Sequence, residues 1–361
     1  MQRLALDVAA RVIRASDRKH PADAVLRSEL RNARQLTPAL RTEISAAVFT
    51  YYRWYGWLDK RAPLREQIAH ARTLAESFQT GPREISDDEL VSRAVPKWLS
   101  QFTEVTPAFA RAIQYPPRLW LRARKAEGAQ LAQRLGNCTP PTDVPDAVEY
   151  AGTEDLFHRP EFKQGEFEIQ DISSQMVGHL ANPQPGETWW DACAGEGGKT
   201  LHLSDLMENK GLIWASDRAA WRLNKLRHRA ARARVFNYRA VIWDGSSRLP
   251  TRTKFDGVLL DAPCTGVGTW QRNPQARWTT APHDVEDLAA VQRQLLTHAA
   301  SSAKPGGKLI YAVCTLTRPE TIDVAKWFTD SHPEFACSPA TLLRPEETGG
   351  NGMFISAWQR R

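Results

Sequence analysis

From about residue 167 onward, short apolar runs alternate with helical stretches, and this alternation constrains the fold more than any other feature of the chain. The segments WWDACAG, GLIWASD, RAVIWD, GVLLDAP and GGKLIYAVCT each read as a buried strand. Stretches at 198–208, 219–233, 284–303 and 318–330 read as the helices between and after them. Strands that alternate with helices need crossover connections, so the expected fold is α/β with a parallel sheet. Open sheets of this kind bind ligands beyond the carboxyl ends of their strands. Residues at strand ends are therefore the functional candidates.

The rest of the chain reads differently. Its 361 residues are too many for one ordinary domain. In LALDVAARVIRA, Leu4, Val8, Ala9, Val12 and Ile13 fall on one helical face, and Ile44, Val48, Tyr51, Tyr52 and Tyr55 repeat at the same spacing. Thr37 before Pro38 suits a helix start. Residues 1–112 are expected to form an all-helical domain. Residues 113–166 are expected to form a small mixed α/β connecting module. It is punctuated by prolines at 116, 117, 140, 141 and 145, with RLWLRA as a strand and EGAQLAQRLG as a helix ending at Gly136. Residues 167–361 carry the sheet.

Composition excludes several classes. With 42% apolar and 25% charged residues, wholesale disorder is ruled out. No run approaches 18 apolar residues, so no membrane helix is expected. The N-terminus scatters arginine through its apolar positions, unlike a secretory signal. Five widely spaced cysteines without a C-x-x-C pair argue against a zinc ribbon or a disulfide framework. A cytoplasmic, metal-free, monomeric protein is expected.

The net charge of +7 is modest, but its distribution is not even. Residues 1–72 hold fourteen Lys/Arg against seven Asp/Glu, and Arg218–Trp243 holds eight basic residues and no acid. Two local basic surfaces suit a nucleic acid, although solvated helix faces give the same pattern. Trp270 and Trp278, with Arg272 and Arg277 between them, suit either base stacking or packing under a loop, and packing is favoured.

The first chemical candidate is DACAGEGGKT, residues 191–200, where a strand runs into Gly195, Gly197 and Gly198, then Lys199 and a helix. Glycines here let backbone N–H groups approach a ligand at a helix N-terminus. Neither the Walker spacing nor G-x-G-x-x-G is present. Asp217 ends the next run, where an acid accepts from ribose hydroxyls, and Asp244 ends the one after, where a carboxylate meets the adenine amine. Each aspartate alone also suits a helix cap. Together they indicate a nucleoside cofactor, and without a dinucleotide fingerprint S-adenosylmethionine is favoured over NAD. Next come Asp261 and Cys264 in FDGVLLDAPCTG, and Cys314, followed by Glu320, in GGKLIYAVCTLTRPE. A cysteine is usually a small buried apolar residue. Two of them at strand ends beside a presumed methyl donor suit covalent catalysis at cytosine. A thiolate adding to carbon 6 makes carbon 5 nucleophilic. A base then removes the carbon 5 proton and the thiol leaves. Asp261 and Lys199 lie where they can assist at the base. Cys138 and Cys337 have no such context.

These residues resemble the RsmB/Nop2/Sun RNA (cytosine-5-)methyltransferases. The likeness is carried by DACAGEGGKT, FDGVLLDAPCTG, VQRQLL with Gln292–Leu296, KPGGKLIYAVCTLTRPE and GGNGMF, over roughly residues 165–361. ELRNARQL, ALRTEI and VFTYYRW resemble the NusB-like RNA-binding domain of the bacterial ribosomal-RNA members. The resemblance implies a Rossmann-like, seven-stranded methyltransferase sheet. It implies that Cys314 is the nucleophile and Cys264 assists release, with Lys199 and Asp261 beside them. It also implies that S-adenosylmethionine is held by Cys193, Ala194, Gly195, Glu196, Gly197, Gly198, Lys199, Asp217, Asp244 and Asp261. Small-subunit rRNA is the implied substrate, with tRNA second. The chain departs from the family pattern at Gly195-Glu196, usually Ala-Pro, at Val313-Cys314-Thr315, and at Asn351, usually Asp. Glu196 places a negative charge near the cofactor's carboxylate end. A DNA cytosine-5 methyltransferase, in which the Pro-Cys thiol attacks, and a non-catalytic ribosome-assembly factor are the rival readings.

Overall fold

The computed structural model describes residues 3–33, 35–124, 128–139 and 143–361. They form two compact units, Met1–Pro117 with Gly266–Asp284, and Arg118–Thr265 with Val285–Arg361. This division differs from boundaries at 112 and 166. The small mixed module belongs to the same unit as the large sheet, and a segment after the Pro-Cys motif belongs with the N-terminal helices.

The first unit contains helices Arg3–Ala15, Ala22–Asn32, Pro38–Arg53, Leu64–Thr80, Asp87–Arg93 and Pro107–Ala112. Thr37 accepts a hydrogen bond from the Leu40 N–H while Pro38 fills the first helical position. Thr106 and Pro107 repeat the device. A hydroxyl cap satisfies one of the amides that a helix start leaves open, and proline forfeits none there. Val8, Ala9, Val12, Ile13, Ile44, Val48, Tyr51 and Tyr52 are buried. Leu4, expected with them, is 48% exposed, because it lies in the first turn, at the very end of the apolar stripe. In the inserted segment Trp270 and Arg277 are fully buried. The Arg277 guanidinium donates to the carbonyls of Trp270, Ala94 and Ile113 and to Gln114 Oε1. Trp278 donates to the Tyr52 carbonyl at 2.7 Å. Both tryptophans are packing residues of the helical unit.

The second unit holds two sheets. β1 (Leu119–Ala123), β2 (Ala147–Tyr150) and β3 (Phe167–Ile169) form an antiparallel sheet in the order β2-β1-β3. The helix Gly128–Leu135 packs Leu131 and Leu135 against Leu121, Val148 and Phe167. Its expected first residue, 127, and the prolines at 140 and 141 lie outside the described residues. The large sheet comprises β4 (Thr188–Asp191), β5 (Leu212–Asp217), β6 (Tyr238–Ile242), β7 (Phe255–Asp261), β8 (Ala303–Val313), β9 (Phe335–Cys337), β10 (Thr341–Leu343) and β11 (Met353–Arg360). Its order is β10-β11-β8-β7-β4-β5-β6, with β9 on the other half of β11. The sheet therefore has eight strands where seven were expected, because two three-residue strands share one side of β11. β4 to β8 are parallel as the alternation demands. β11 runs antiparallel to β8, so the sheet is mixed.

Period-two geometry explains the two apolar faces. Trp189 packs with Leu259, Ile310 and Ile213 on one side. Trp190 packs with Val258, Leu260 and Tyr311 on the other. Strand order reverses at β4, from which β5 and β6 lie to one side and β7 and β8 to the other. Such a reversal opens a crevice at the carboxyl ends of the strands.

Candidate active site

The crevice is a cleft of about 570 Å³ above the ends of β4, β5, β7 and β8. At the end of β4 the chain turns through Gly195 (φ +55°) and Gly197 (φ +85°) into the helix Gly198–Leu206. A Cβ on Gly195 would meet nothing within 4 Å, so the turn leaves open space above its backbone. Gly197 has a different task. A Cβ there would lie 2.6 Å from Leu226 Cγ, and the residue does not line the cleft. The missing side chain allows this close helix packing. Ala194, Gly198 and Lys199 line the cleft as expected.

Asp217, at the end of β5, is buried and accepts from the Gly195 N–H at 3.1 Å and the Ala219 N–H at 2.8 Å. Each oxygen retains acceptor capacity for a ribose hydroxyl. Asp244 lies two residues beyond the end of β6. It is exposed and accepts from the Ser246 N–H, and the Ser246 hydrogen bonds hold its carboxyl below the usual value. The Glu196 charge is met by Lys225, whose Nζ pairs with Oε1. The open glycine turn, the acceptor-rich Asp217 and a cleft of this volume fit a nucleoside-bearing cofactor.

The other end of the cleft is built from side chains. Lys199 and Asp261 form an ion pair, Nζ to Oδ2 at 2.6 Å. Burial acts most strongly on Lys199 and lowers its pKa, but the Asp261 charge and hydrogen bond, with Cys314 and Asp191, outweigh it and the net shift is upward. Lys199 is thus a cation at neutral pH. Behind it, fully buried Asp191 accepts from the Thr200 hydroxyl at 2.6 Å. Burial first, and then the Asp261 and Asp217 charges, push its carboxyl up to about 7. Cys193 lines the cleft, and burial with the same acidic neighbours pushes its thiol up, which keeps it protonated. Cys264 leaves β7 and Cys314 leaves β8, and their Sγ atoms lie 3.4 Å apart. This is a thiol–thiol contact, longer than the roughly 2.05 Å of a disulfide.

All the anticipated residues except Gly197 therefore line one cleft. The sequence did not point to the polar knot beneath the two thiols. Thr265 and Thr315, each directly after a cysteine, are joined at 2.9 Å between hydroxyls. Both reach the buried carboxylate of Glu320. The repeated Cys-Thr dipeptide was the available signal. The anticipated basic surface at 218–243 is also partly consumed, because Arg229 and Arg232 pair with the buried Glu168 of β3.

A family profile described as 16S rRNA methyltransferase RsmB/F matches residues 179–356. A ribosomal RNA small subunit methyltransferase B from Salmonella paratyphi B is 30% identical over 311 residues, which cover 81% of this chain and 71% of that one. The chain belongs to the RsmB/F methyltransferase family. The family's methyltransferases use S-adenosylmethionine, and the glycine turn and Asp217 are the parts of this cleft suited to it. A probable ribosomal RNA small subunit methyltransferase B from Synechocystis is 33% identical over 285 residues, 73% of this chain and 64% of that protein. A mouse tRNA (cytosine(72)-C(5))-methyltransferase, NSUN6, is 34% identical over 200 residues, 51% of this chain and 40% of its own length. The chain thus spans less than two thirds of the length of these last two relatives. The crystal structure of PH0851 superposes over the whole chain with a TM-score of 0.83, at 21% identity and 99% of its own length, which is a likeness of fold.

Proposed function

We propose that this RsmB/F-family chain methylates carbon 5 of a cytidine in small-subunit ribosomal RNA, through a covalent bond between Cys314 and carbon 6 of the base. The supporting observation is the pair of thiols 3.4 Å apart at the ends of two adjacent strands, beside the Lys199–Asp261 pair. A single attacking thiol needs no such neighbour, whereas attack and release by separate thiols do.

Cys314 attacks as the thiolate, and a new C–S bond forms at carbon 6 while the C5=C6 π electrons move to carbon 5. Lys199 supplies positive charge beside the thiolate. Asp261, one third exposed and oriented by Lys199, faces the cleft where the cytosine amine and ring nitrogen would lie. When bound, S-adenosylmethionine would supply the methyl group to the electron pair on carbon 5 and leave as S-adenosylhomocysteine. Cys264, as the thiolate, then takes the carbon 5 proton. The electrons of that C–H bond restore the C5=C6 double bond, and the C–S bond breaks to return Cys314 as thiolate. The target cytidine must be unstacked to admit this attack, so a loop or an opened helix is the substrate.

The helical unit serves, in this reading, as the NusB-like RNA-binding domain, with affinity that falls with salt as phosphates are neutralised. The protein works in the cytoplasm, as a monomer and without a metal. The test is methyl transfer by the purified chain to unmodified small-subunit rRNA, tRNA and DNA, with bisulfite sequencing of the products. New 5-methylcytosine in the rRNA is expected. Modification of tRNA alone would move the substrate, modification of DNA alone would favour attack by Cys264, and transfer to none would leave a binding factor.

A further inference from the structure

The ladder between β7 and β8 ends with a bond from the Ala262 N–H to the Ala312 carbonyl at 3.0 Å. Beyond it the Cys264 chain is a loop and β8 runs only one residue further, to Val313, before Cys314, and Cys264 and Cys314 lie 3.4 Å apart. No ladder bond between β7 and β8 reaches either cysteine. Thr265 follows one cysteine and Thr315 and Thr317 follow the other, and all three turn toward Glu320, which is 0% exposed. Glu320 Oε1 accepts from the Thr265 N–H at 2.8 Å and from the Gln292 amide at 3.1 Å. Oε2 accepts from the Thr265 hydroxyl and from Thr317 at 2.6 Å, with Thr315 at 3.3 Å. Gln292 also donates to the Pro263 carbonyl at 2.9 Å, and Tyr311 donates toward Gln292 Oε1 at 2.9 Å and the Glu320 carbonyl at 2.7 Å.

One hydrogen count satisfies these contacts with Glu320 as the acceptor. If Thr315 donates to Thr265, then Thr265 can donate to Glu320, and with Thr317, the Thr265 amide and Gln292 four donors meet four acceptor positions. An ionised carboxylate is acceptor-only and offers all four. Among the described residues no Lys or Arg forms an ion pair with Glu320, so a charge on it would be held in its buried place by these dipoles. Burial still raises its pKa, as the largest influence, against the opposing Thr and Gln hydrogen bonds. A buried charge kept by donors from both cysteine loops has one evident consequence, which is that the loops are tied to each other.

We propose that Glu320 is a positioning residue that clamps the Cys264 loop to the Cys314 loop, so that release of the methylated base depends on it. It touches neither substrate nor cofactor in this role. The proposal rests on the reading of Cys264 as the release thiol, but its geometric half can be tested without RNA.

The first test treats the full chain with diamide, which takes two hydrogens from two thiols, leaving a disulfide and the hydrazine form of the reagent. Peptide mapping should show rapid Cys264–Cys314 linkage in the wild type. Glu320→Ala should slow it about tenfold as the thiols lose their enforced proximity, and Glu320→Gln, which keeps the shape and part of the bonding, should fall between. Equal rates in the wild type and Glu320→Ala, or no linkage in the wild type, would overturn the clamp. If Glu320→Ala does not fold, as judged by circular dichroism, Thr265→Val is the substitute, with the same ordering expected at smaller size.

The second test adds S-adenosylmethionine and unmodified small-subunit rRNA and looks for a protein–RNA band on a denaturing gel. Glu320→Ala should retain the band and lose kcat with KM little changed, and Glu320→Gln should restore part of kcat. A merely destabilised enzyme would lose activity without trapping RNA. If Cys264→Ala traps RNA and Glu320→Ala does not, the clamp is wrong and the release reading stands. If Cys264→Ala does not trap RNA but the diamide rates differ as expected, the clamp stands and the release reading is wrong.

Discussion

The two ends of the cleft are built on opposite principles. At the glycine turn the chain offers backbone and single acids. Gly195 leaves open space, Asp217 accepts from two neighbouring amides, and Asp244 stands in solvent. At the thiol end the groups are interlocked, with Lys199 on Asp261, Thr200 on Asp191, and Glu320 beneath two cysteine loops. The first arrangement suits a ligand that arrives and departs each cycle, recognised by groups joined to one another only by the Gly195 N–H bond to Asp217. The second suits bonds made and broken on atoms that must not drift. It follows that substitutions at the glycine end should be mild and nearly additive, and those at the thiol end severe and coupled.

The largest expected effect separates the two thiols. Cys314→Ala should lower methyl transfer by at least about 10⁴-fold, as removal of a nucleophile does, and give no covalent RNA adduct. Cys264→Ala should still attack and methylate, then stall as a slow-migrating band on a denaturing gel that the double variant lacks. A band in Cys314→Ala that vanishes in Cys264→Ala would reverse the roles and favour the DNA-enzyme-like reading.

Next comes the pH dependence carried by Asp191. Its carboxyl is raised from 3.8 to about 7 in the folded chain, so between those values the folded state holds a proton that the unfolded state has lost. Stability from this group therefore falls as pH rises through that window, by up to about 4 kcal/mol, and the loss is complete above about 7. Asp191→Asn should gain stability over the wild type when urea unfolding is compared at pH 8 rather than pH 5. A difference independent of pH would show that burial does not perturb this carboxyl.

Lys199→Met tests the ion pair. A lone carboxylate left at a buried site costs about 3–5 kcal/mol, but Asp261 is one third exposed, so about 2–3 kcal/mol is expected in chemical denaturation. Adding Asp261→Asn should recover part of it. Strict additivity of the two changes would deny the coupling that distinguishes this end.

The smallest effect belongs to the cofactor end. Asp217→Ala should weaken S-adenosylmethionine binding about tenfold in calorimetry, the size of one lost charge-assisted hydrogen bond, and the exposed Asp244 should matter less than Asp217. Unchanged affinity in Asp217→Ala would reject the ribose assignment. A larger loss at Asp244 than at Asp217 would reverse the order of the two acids.

Much of this molecule was legible in the one-dimensional pattern, and the exceptions have physical causes. The parallel strands β4, β5, β6, β7 and β8 and their helices follow from apolar periodicity, which is local. So do the Thr-Pro helix starts and the glycine turn, because caps and positive φ are set by a few adjacent residues. The strands β9 and β10 are three residues long, too short to carry a period, and β11 runs antiparallel because of where the chain must return, which no local pattern records.

The sequence by itself determined the residue types at the strand ends, and hence the chemistry available there: two thiols, a lysine–aspartate pair, and acids for a nucleoside. Only the tertiary structure decided which of them meet. Arg229 and Arg232 read as free basic surface until Glu168, some sixty residues earlier, neutralises them. Trp270 and Arg277 follow the Pro-Cys motif in sequence but belong to the helical unit's core. Glu320 is one acid among many until the packing buries it beneath residues 265, 292, 315 and 317. Periodicity and turn chemistry act over a few residues, whereas desolvation and charge pairing depend on neighbours brought from anywhere in the chain. The pattern can therefore name the reacting groups, and only the fold can bring them together.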